Sequence, residues 1–253
     1  MSIITHSTIG NCAVLTMNRP AALNAITTDM LNLFESQLDA IEKDDSRAVI
    51  LTGAGRAFCP GSDIKSPPDN VRARIDQVHR LIRRLLEFPK LSIAAINGLA
   101  LGGGLELALA CTFRVAASDA KLGLPEIKIG LMPAYGGTVL LPRLIGAGRA
   151  QEMMLGGQSV SGQAALSMGL VNSLFETPET AVKAAHDFIQ PYCNFSQIPQ
   201  RAIRDAILTG SDASLTDALE HEYRLLESVS ASDDCLEGVN AFIEKRPPQW
   251  KDS

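Results

Sequence analysis

Two glutamates, Glu106 and Glu126, have the residue type and the spacing that acid–base chemistry requires. They lie twenty positions apart, and Glu106 is the single charged residue between Lys90 and Arg114. A carboxylate in so apolar a segment is costly to bury unless it is paired, hydrogen-bonded or functional. An ion pair with Arg114 or Arg143 is one explanation for Glu106, and a catalytic role is the other. The second glutamate favours a two-carboxylate acid–base site.

Two glycine-rich segments are the second candidate feature. Residues 53–64 follow a predicted buried strand, and residues 97–106 turn from a predicted strand into a helix through three consecutive glycines. Backbone without side chains can point successive N–H groups at one place. Two such donors would form an oxyanion hole, in which each donor is worth about 2.7–4 kcal/mol in the transition state. The segments therefore predict stabilisation of an enolate or a tetrahedral oxyanion.

Motifs for several other chemistries do not occur in the sequence. There is no GxxxxGK[ST] phosphate loop and no GxSxG nucleophile elbow, and the triple glycine fails the GxGxxG pattern. The four histidines stand far apart and no Cys/His ligand spacing occurs, so the sequence predicts no metal site. Cys59 lies in the first glycine-rich segment, but a nucleophilic thiol needs an activating base and none is identifiable.

Composition restricts the class of protein. The chain has 253 residues, a formal net charge of −5, 46% hydrophobic and 5% aromatic residues, which predicts a globular protein with a filled core. It carries no Lys/Arg-rich block, so we expect no nucleic-acid partner. The apolar stretch 93–111 contains Asn97, Glu106 and three consecutive glycines, so we expect no membrane partner. Five scattered cysteines without CxxC spacing, and a start without a basic and apolar leader, predict a cytoplasmic location.

The periodicity of apolar residues predicts the strands and helices that must position these groups. Residues 28–43 repeat apolar residues every three to four positions, as one face of a helix does. The predicted helix 71–87 carries five arginines that avoid its apolar stripe, and we interpret them as a solvated face. The alternation of strands and helices predicts an α/β layered fold. The other predicted strands are 3–6, 12–17, 47–52, 91–96, 113–117, 121–124 and 171–175, the predicted loop is 53–70, and the other predicted helices are 102–110, 136–145, 147–155, 161–168, 178–192 and three between 194 and 245.

Five segments make the sequence similar to the enoyl-CoA hydratase/isomerase (crotonase) superfamily, and most similar to its hydratases. Each motif alone is weak, but the five occur in register and the resemblance covers essentially the whole chain. The segments are NRPAALNAI (18–26), FCPGSD (58–63), NGLALGGGLE (97–106), LPEI continuing through Pro133 to GGT (124–138), and EGVNAFIEKR (237–246).

The resemblance implies an α/β fold, a crotonase-like spiral of ββα turns with a C-terminal helical region used in trimerisation. Residues 1–193 would form the acyl-CoA-binding catalytic core, and residues 194–253 would form the oligomerisation region. The expected partners are an acyl-CoA thioester substrate and further copies of the chain in a homotrimer or homohexamer. Coenzyme A is carried as part of the substrate, so we expect no separate cofactor.

The resemblance also assigns roles to single residues. The thioester oxygen would sit between the backbone N–H groups of Ser62 and Gly103, and Glu106 and Glu126 match the two catalytic glutamates of the hydratases. Seven further residues are expected to contact the substrate. The first two would contact its adenosine end, and the last two would contact the CoA bound to a neighbouring copy. These residues are Leu23, Ala25, Gly61, Asp63, Ile64, Phe242 and Lys245.

The presence of both glutamates favours hydration of a 2-enoyl-CoA to a 3-hydroxyacyl-CoA, because isomerases of the superfamily typically keep only the carboxylate at the position of Glu126. The alternatives are a Δ3,Δ2-enoyl-CoA isomerase, or another crotonase-type reaction on a branched, cyclic or aromatic acyl-CoA. A catalytically silent acyl-CoA-binding or assembly protein is the alternative of a different class. One position departs from the hydratase pattern, since Pro133 is followed by Ala134 and Tyr135. Tyr135 places a bulky group near the acyl pocket and leaves the identity of the acyl chain open.

Overall fold

The chain folds into two compact units. The computed structural model describes residues 2–65 and 70–252. The first unit is Met1–Ile189 and the second is Gln190–Ser253. All the β-strands of the described residues lie in the first unit, whereas the second is helical. The oligomerisation role of residues 194–253 stays a prediction.

The β-strands of the described residues form two sheets. One sheet has six strands and the other has four. In chain order the strands are β1 Ile4–Ile9, β2 Cys12–Met17, β3 Ala48–Gly53, β4 Ala57–Cys59, β5 Leu91–Ile96, β6 Leu99–Leu101, β7 Phe113–Ala117, β8 Lys121–Gly123, β9 Ser159–Ser161 and β10 Ser173–Phe175. The order in the larger sheet is β1-β2-β3-β5-β7-β10, and in the smaller sheet it is β4-β6-β8-β9.

The α-helices follow the apolar periodicity of the sequence. Thr27 begins the first of them, because its side chain accepts a hydrogen bond from the N–H of Met30, and the helix buries the face that contains Phe34 and Leu38. The helices of the described residues are α1 Thr28–Lys43, α2 Val71–Leu86, α3 Gly103–Leu109, α4 Gly137–Ile145, α5 Ala147–Gly156, α6 Gly162–Ser167, α7 Ala181–Ile189, α8 Gln197–Gly210, α9 Leu215–Ser230 and α10 Asp233–Glu244.

The larger sheet is mostly parallel. Strands β1 and β2 form an antiparallel hairpin, and β2, β3, β5, β7 and β10 then pair in parallel. Every residue of β3 and β5 is buried. A parallel sheet covered on both faces favours such largely apolar strands, which is why the apolar run Ala-Val-Ile-Leu predicted β3 as a buried strand.

The two sheets are built together by successive ββα turns. Strand β3 enters the larger sheet, β4 enters the smaller one, and α2 completes the turn. Strands β5 and β6 with α3, and β7 and β8 with α4, repeat the same path. The predicted spiral of ββα turns and the α/β class are therefore confirmed.

Three strands of the smaller sheet were absent from the prediction. Strand β4 lies inside the segment predicted as a loop, and β6 and β9 were not predicted either. Each is three residues long, which is too short for a period-two pattern to be recognised by itself. Strands β8 and β10 are equally short, but they lie within the longer runs 121–124 and 171–175 that were predicted as strands. Residues 66–69 of the predicted loop lie outside the described residues.

The prediction of one helix over residues 178–192 was confirmed for residues 181–189 and wrong at both ends. The segment contains a 3-10 helix at Pro178–Thr180, then α7, and a second 3-10 helix at Tyr192–Asn194. The interruption has a local cause, because Pro191 disfavours helical backbone at the residue before it and α7 ends at Ile189.

The second unit contains the three predicted helices, α8, α9 and α10. Each begins after a serine, and the side chains of Ser196, Ser214 and Ser232 accept hydrogen bonds from backbone N–H groups of the first helical turn. Among the described residues, none of the helices has both the length and the apolar character needed to cross a membrane.

Candidate active site

Three neighbouring strands of the smaller sheet bring the predicted site residues together. Strands β4, β6 and β8 are parallel neighbours, so their carboxyl ends meet at one edge of the sheet. Ser62 follows β4, Gly103 follows β6, and Glu126 follows β8. Residues far apart in sequence thus converge at this edge, where open α/β sheets bind their ligands.

The backbone of Ser62 is held by pairing with Ile26. The N–H of Ile26 donates to the Gly61 oxygen at 2.8 Å, and the N–H of Asp63 donates to the Ile26 oxygen at 3.0 Å. Parallel pairing of this kind uses the groups on either side of Ser62, so its own N–H points away from Ile26. Gly61 has a φ of +103°, a conformation that L side chains rarely adopt.

Gly103 lies against this turn. It is the first residue of α3, and N–H groups at the start of a helix have no acceptor within the helix. An added Cβ on Gly61 would lie 3.2 Å from the Gly103 nitrogen, so the two turns are in close contact. Gly102 is fixed beside them by its N–H, which donates to the Gly123 oxygen at 2.9 Å. The structure therefore brings Ser62 and Gly103 together, as the oxyanion-hole prediction requires.

Replacement of Gly104 by Ala is expected to destabilise the fold by about 1–3 kcal/mol, the cost of overpacking a filled core. A Cβ at this position would lie 2.2 Å from the backbone oxygen of Cys59, which cannot move without shifting the oxyanion turn. The matched control is Gly148→Ala, because nothing lies within 4 Å of a Cβ there and alanine should stabilise α5 by up to about 1 kcal/mol. Urea unfolding of both variants is the measurement, and equal stabilities would contradict the expectation.

Glu106 is buried and hydrogen-bonded by backbone. It is 1% exposed, and its Oε1 accepts hydrogen bonds from the N–H groups of Tyr135 at 2.8 Å and Gly137 at 2.7 Å. The alternative of an ion pair with Arg114 is wrong, since that guanidinium donates instead to the Cys111 and Leu170 oxygens at 2.8 and 2.9 Å. Glu106 is thus a carboxyl held in place by N–H donors.

Burial raises the pKa of Glu106 from its ordinary value of 4.5 to about 7. The two N–H donors act in the opposite direction, because they stabilise the ionised form, and the negative charge of Glu126 raises the pKa further. A carboxyl with this pKa gains or loses a proton near neutral pH. It therefore suits general acid–base catalysis.

Glu126 is the second carboxyl at this edge. It begins a 3-10 helix after Pro125, and an added Cβ on Gly102 would lie 2.8 Å from its Oε1. Its Oε2 is buried and has no hydrogen-bond partner among the described residues. Burial raises the pKa of Glu126 as well. The structure therefore places both glutamates beside the glycine turn that carries Gly103.

The interpretation of all five arginines of α2 as a solvated face was wrong for Arg74. This side chain is 7% exposed and donates to the Ile26 oxygen at 3.1 Å, the Thr28 hydroxyl at 3.2 Å and the Tyr135 hydroxyl at 3.2 Å. All three acceptors belong to segments that come near α2 only in the folded chain. The spacing within the helix does distinguish Arg74 from the other four arginines, because it lies four residues before Val78 and seven before Leu81, on the buried face of α2.

The predicted adenosine-end residues lie in a strained loop. Leu23 and Asn24 both have positive φ, and the buried Asn24 side chain holds this backbone by donating to the Ala54 and Ala57 oxygens at 3.0 and 2.8 Å. Arg19 joins the loop to the oxyanion turn, because it donates to the Ala25 oxygen at 2.5 Å and pairs with Asp63 at 3.0 Å. That contact also lowers the pKa of Asp63.

The structure thus brings four of the seven predicted contact residues together, and it places the other three as follows. Leu23, Ala25, Gly61 and Asp63 belong to the linked loops. Ile64 is 76% exposed at the end of this segment. Phe242 and Lys245 lie in the second unit, where Phe242 is 85% exposed on α10 and Lys245 follows its last residue.

Comparison with known proteins decides the family. The model of the Enoyl-CoA hydratase/isomerase family matches residues 8–253. The chain belongs to this family. A probable enoyl-CoA hydratase of Bacillus subtilis (strain 168) is 38% identical, over 94% of this chain and 95% of its own. A short-chain-enoyl-CoA hydratase of Clostridium acetobutylicum is 36% identical, over 94% and 93%.

The structural comparison agrees with the family assignment. A crystal structure of enoyl-CoA hydratase from Bacillus anthracis superposes with a TM-score of 0.93 and 36% identity, and it covers 100% of both chains. The resemblance to the crotonase superfamily is thereby confirmed, and this member of the enoyl-CoA hydratase/isomerase family is a hydro-lyase of the hydratase type.

Proposed function

We propose that the chain adds water across the 2,3 double bond of a 2-enoyl-CoA to give a 3-hydroxyacyl-CoA. The observation that carries this proposal is the convergence of a buried carboxyl, Glu106, and a half-buried one, Glu126, on the turns that carry Ser62 and Gly103. Hydration needs acid–base catalysis and oxyanion stabilisation at the same time. The oxyanion must be stabilised while one proton leaves water and another reaches the α-carbon.

The proposed mechanism assigns one task to each group. The N–H groups of Ser62 and Gly103 donate to the thioester oxygen and stabilise the enolate-like charge that develops on it. Glu106 takes a proton from water while the water oxygen bonds to the β-carbon, and Glu126 gives a proton to the α-carbon. The two carboxyls exchange their protonation states in the turnover, and the product carries the elements of one water molecule.

Hydration of crotonyl-CoA is the direct test. The loss of the enoyl thioester absorbance measures turnover, and chromatography identifies 3-hydroxybutyryl-CoA as the product. A short-chain substrate is the appropriate first choice, because the clostridial relative is named for short-chain enoyl-CoA. Migration of the double bond of 3-enoyl-CoA without hydration of crotonyl-CoA would instead indicate an isomerase. Binding of both thioesters without turnover would indicate a silent binding protein.

The pH dependence of kcat/KM is expected to be bell-shaped. The reaction needs one ionised and one protonated carboxyl, and two close carboxyls lose their protons in two steps that belong to the pair. Activity should fall at acid pH, where both are protonated, and above about 7, where the pair loses its last proton. Initial rates from pH 5 to 9 measure the pH profile. A flat profile would contradict the assignment of two titrating carboxyls.

We also propose that the chain assembles through its second unit as a homotrimer or a dimer of trimers. Helices α8 to α10 expose many large apolar side chains, which a lone chain would leave in contact with water. These side chains are Ile203, Ile207, Leu215, Leu219, Tyr223, Leu226, Leu236, Val239, Phe242 and Ile243. The mass measured by sedimentation equilibrium tests this, and a monomer at micromolar concentration would refute it.

The remaining parts of the proposal concern the CoA moiety. Leu23 and Ala25 would contact its adenosine end, and Phe242 and Lys245 would reach the CoA of a neighbouring copy. The proposed reaction consumes water and the thioester alone, so it requires no further cofactor. A cytoplasmic location stays a prediction from the sequence.

A further inference from the structure

Tyr135 contacts three of the groups that surround the proposed reaction site. Its backbone N–H donates to Glu106, and its hydroxyl lies 2.6 Å from the Ser62 hydroxyl. Its ring lies over Gly103, because an added Cβ there would be 2.7 and 2.9 Å from two ring carbons. One residue therefore contacts the carboxyl through its backbone and both residues of the oxyanion hole through its side chain.

The Tyr135 ring is fixed by two hydrogen bonds on its hydroxyl group. An arginine can only donate, so the Tyr135 hydroxyl oxygen accepts from Nε of Arg74 at 3.2 Å. The same hydroxyl forms a hydrogen bond with the Ser62 hydroxyl at 2.6 Å, in which either oxygen can be the donor. Two polar contacts on one hydroxyl oppose rotation of the ring away from Gly103.

Arg74 is a rigid anchor for this chain. It is 7% exposed, and its two Nη groups donate to the Thr28 hydroxyl and the Ile26 oxygen. Ile26 is also the residue whose backbone pairs around Ser62. The anchor and the oxyanion turn are thus attached to the same strand-like segment, and the Tyr135 ring cannot shift independently of the turn.

The position of the ring bears on substrate choice. The α- and β-carbons of a bound enoyl group must lie between the oxyanion-hole residues and the two carboxyls. The Tyr135 ring lies against Gly103 and its hydroxyl against Ser62, while its backbone N–H donates to Glu106, so the ring adjoins the space that the carbons beyond the β-carbon would occupy. Interiors are packed closely enough that a fixed ring excludes atoms from the space it occupies.

We infer that Tyr135 is the specificity-determining residue that limits this enzyme to short acyl groups, and that Arg74 is the positioning residue that holds it there. This inference rests on the proposed function, since it concerns the acyl group at the same site. The acyl chain of the preferred substrate ends near the ring. Longer linear chains require the ring to move.

The test compares linear 2-enoyl-CoA substrates of four, six, eight and ten carbons. For the unaltered enzyme we expect kcat/KM for the eight-carbon substrate to be at least about tenfold below that for crotonyl-CoA. Tyr135→Ala removes the ring and should raise the ratio of the eight-carbon to the four-carbon value at least about tenfold. Equal values for all lengths in the unaltered enzyme, or an unchanged ratio in Tyr135→Ala, would overturn the inference.

The positioning role of Arg74 has its own readout. Tyr135→Phe keeps the ring but loses both hydroxyl contacts, and Arg74→Met removes one of them. Each should therefore raise the ratio of kcat/KM for the eight-carbon substrate to that for the four-carbon substrate, by a smaller factor than Tyr135→Ala. The double variant should show no larger ratio than Tyr135→Phe, because both changes release the same ring. Arg72→Met is the matched control, since Arg72 is exposed on the same helix and pairs with Asp76. A ratio in Arg74→Met equal to that of the control would refute the role.

Binding of saturated thioesters separates this inference from the proposed reaction. Calorimetry with butyryl-CoA and octanoyl-CoA requires no turnover, so it reports the acyl pocket even if crotonyl-CoA is not hydrated. Weaker binding of octanoyl-CoA that Tyr135→Ala reverses would support the inference by itself. Equal binding of both thioesters, or no binding of either, would overturn it.

Discussion

Replacement of Glu106 by Gln is expected to lower kcat for crotonyl-CoA hydration by about 10²- to 10⁴-fold. The glutamine oxygen can still accept the hydrogen bonds from the N–H groups of Tyr135 and Gly137, so the loop keeps its position. What disappears is the exchangeable proton. KM should change much less than kcat, because the proposed role of Glu106 is to act on water and not to bind the CoA moiety.

The same substitution is expected to increase stability at neutral pH. A folded-state pKa near 7 lies above the ordinary value of 4.5, so the contribution of Glu106 to stability is fully present below about pH 4.5 and is lost as the pH rises through 7. Glutamine does not titrate, so the variant does not lose stability in this way as the pH rises. The difference in unfolding free energy between Glu106→Gln and the unaltered chain should therefore grow from pH 4.5 to 8, by on the order of 3 kcal/mol.

Urea unfolding across this pH range, combined with initial rates, distinguishes catalysis from folding. Glu152→Gln is the control, because Glu152 is exposed on α5, and it should leave both activity and stability unchanged. Loss of activity together with loss of stability in Glu106→Gln would mean that the carboxyl is structural. Full activity would remove Glu106 from the mechanism.

The sequence made the central part of this site predictable for a physical reason. A single carboxylate in an apolar helix is conspicuous, and Glu106 is indeed buried with its own N–H donors. The glycines were equally informative, because Gly61 needs positive φ and Gly104 has no room for a Cβ. Constraints of this kind act on single residues, so they leave a mark in the sequence.

The short strands left no such mark. Strands β4 and β6 are three residues long, and the sheet that they share with β8 stabilises them. Arg74 did leave a mark, because its spacing from Val78 places it on the buried face of α2. The spacing does not give its partners, since Ile26, Thr28 and Tyr135 all lie outside its own helix. Tertiary packing decides both the short strands and these partners.

The contact between Ser62 and Tyr135 was partly predictable. The bulk of Tyr135 near the acyl pocket followed from the resemblance, since that position departs from the family pattern. The hydrogen bond that fixes the ring did not, because it joins residues 73 positions apart through their hydroxyl groups. The residue type of Tyr135 thus indicated the position that bears on the choice of acyl group, and the hydrogen bonds of its hydroxyl indicate how the ring is held there.

Replacement of Glu126 by Gln is expected to be as damaging as the change at Glu106 and to discriminate between the two reactions of the family. Hydration should fall by about 10²- to 10⁴-fold in either variant. An isomerase would lose activity in Glu126→Gln and retain it in Glu106→Gln, since it would use the carboxyl of Glu126 alone. Both variants should therefore be assayed with crotonyl-CoA and with a 3-enoyl-CoA.

The double variant Glu106→Gln/Glu126→Gln shows whether the carboxyls act as a unit. If they do, its kcat should lie close to that of the worse single variant, with the residual rate supplied by the backbone donors of the oxyanion hole.

Glu126→Gln also removes one of the causes that raise the pKa of Glu106, while burial, the largest cause, remains. The pH at which Glu106 loses its contribution to stability should thus move below 7 without returning to 4.5. The unfolding free energies of Glu126→Gln and of the double variant, compared across pH, measure this shift. The two carboxyls act independently if their losses of kcat multiply and the pH at which Glu106 titrates is the same with and without Glu126.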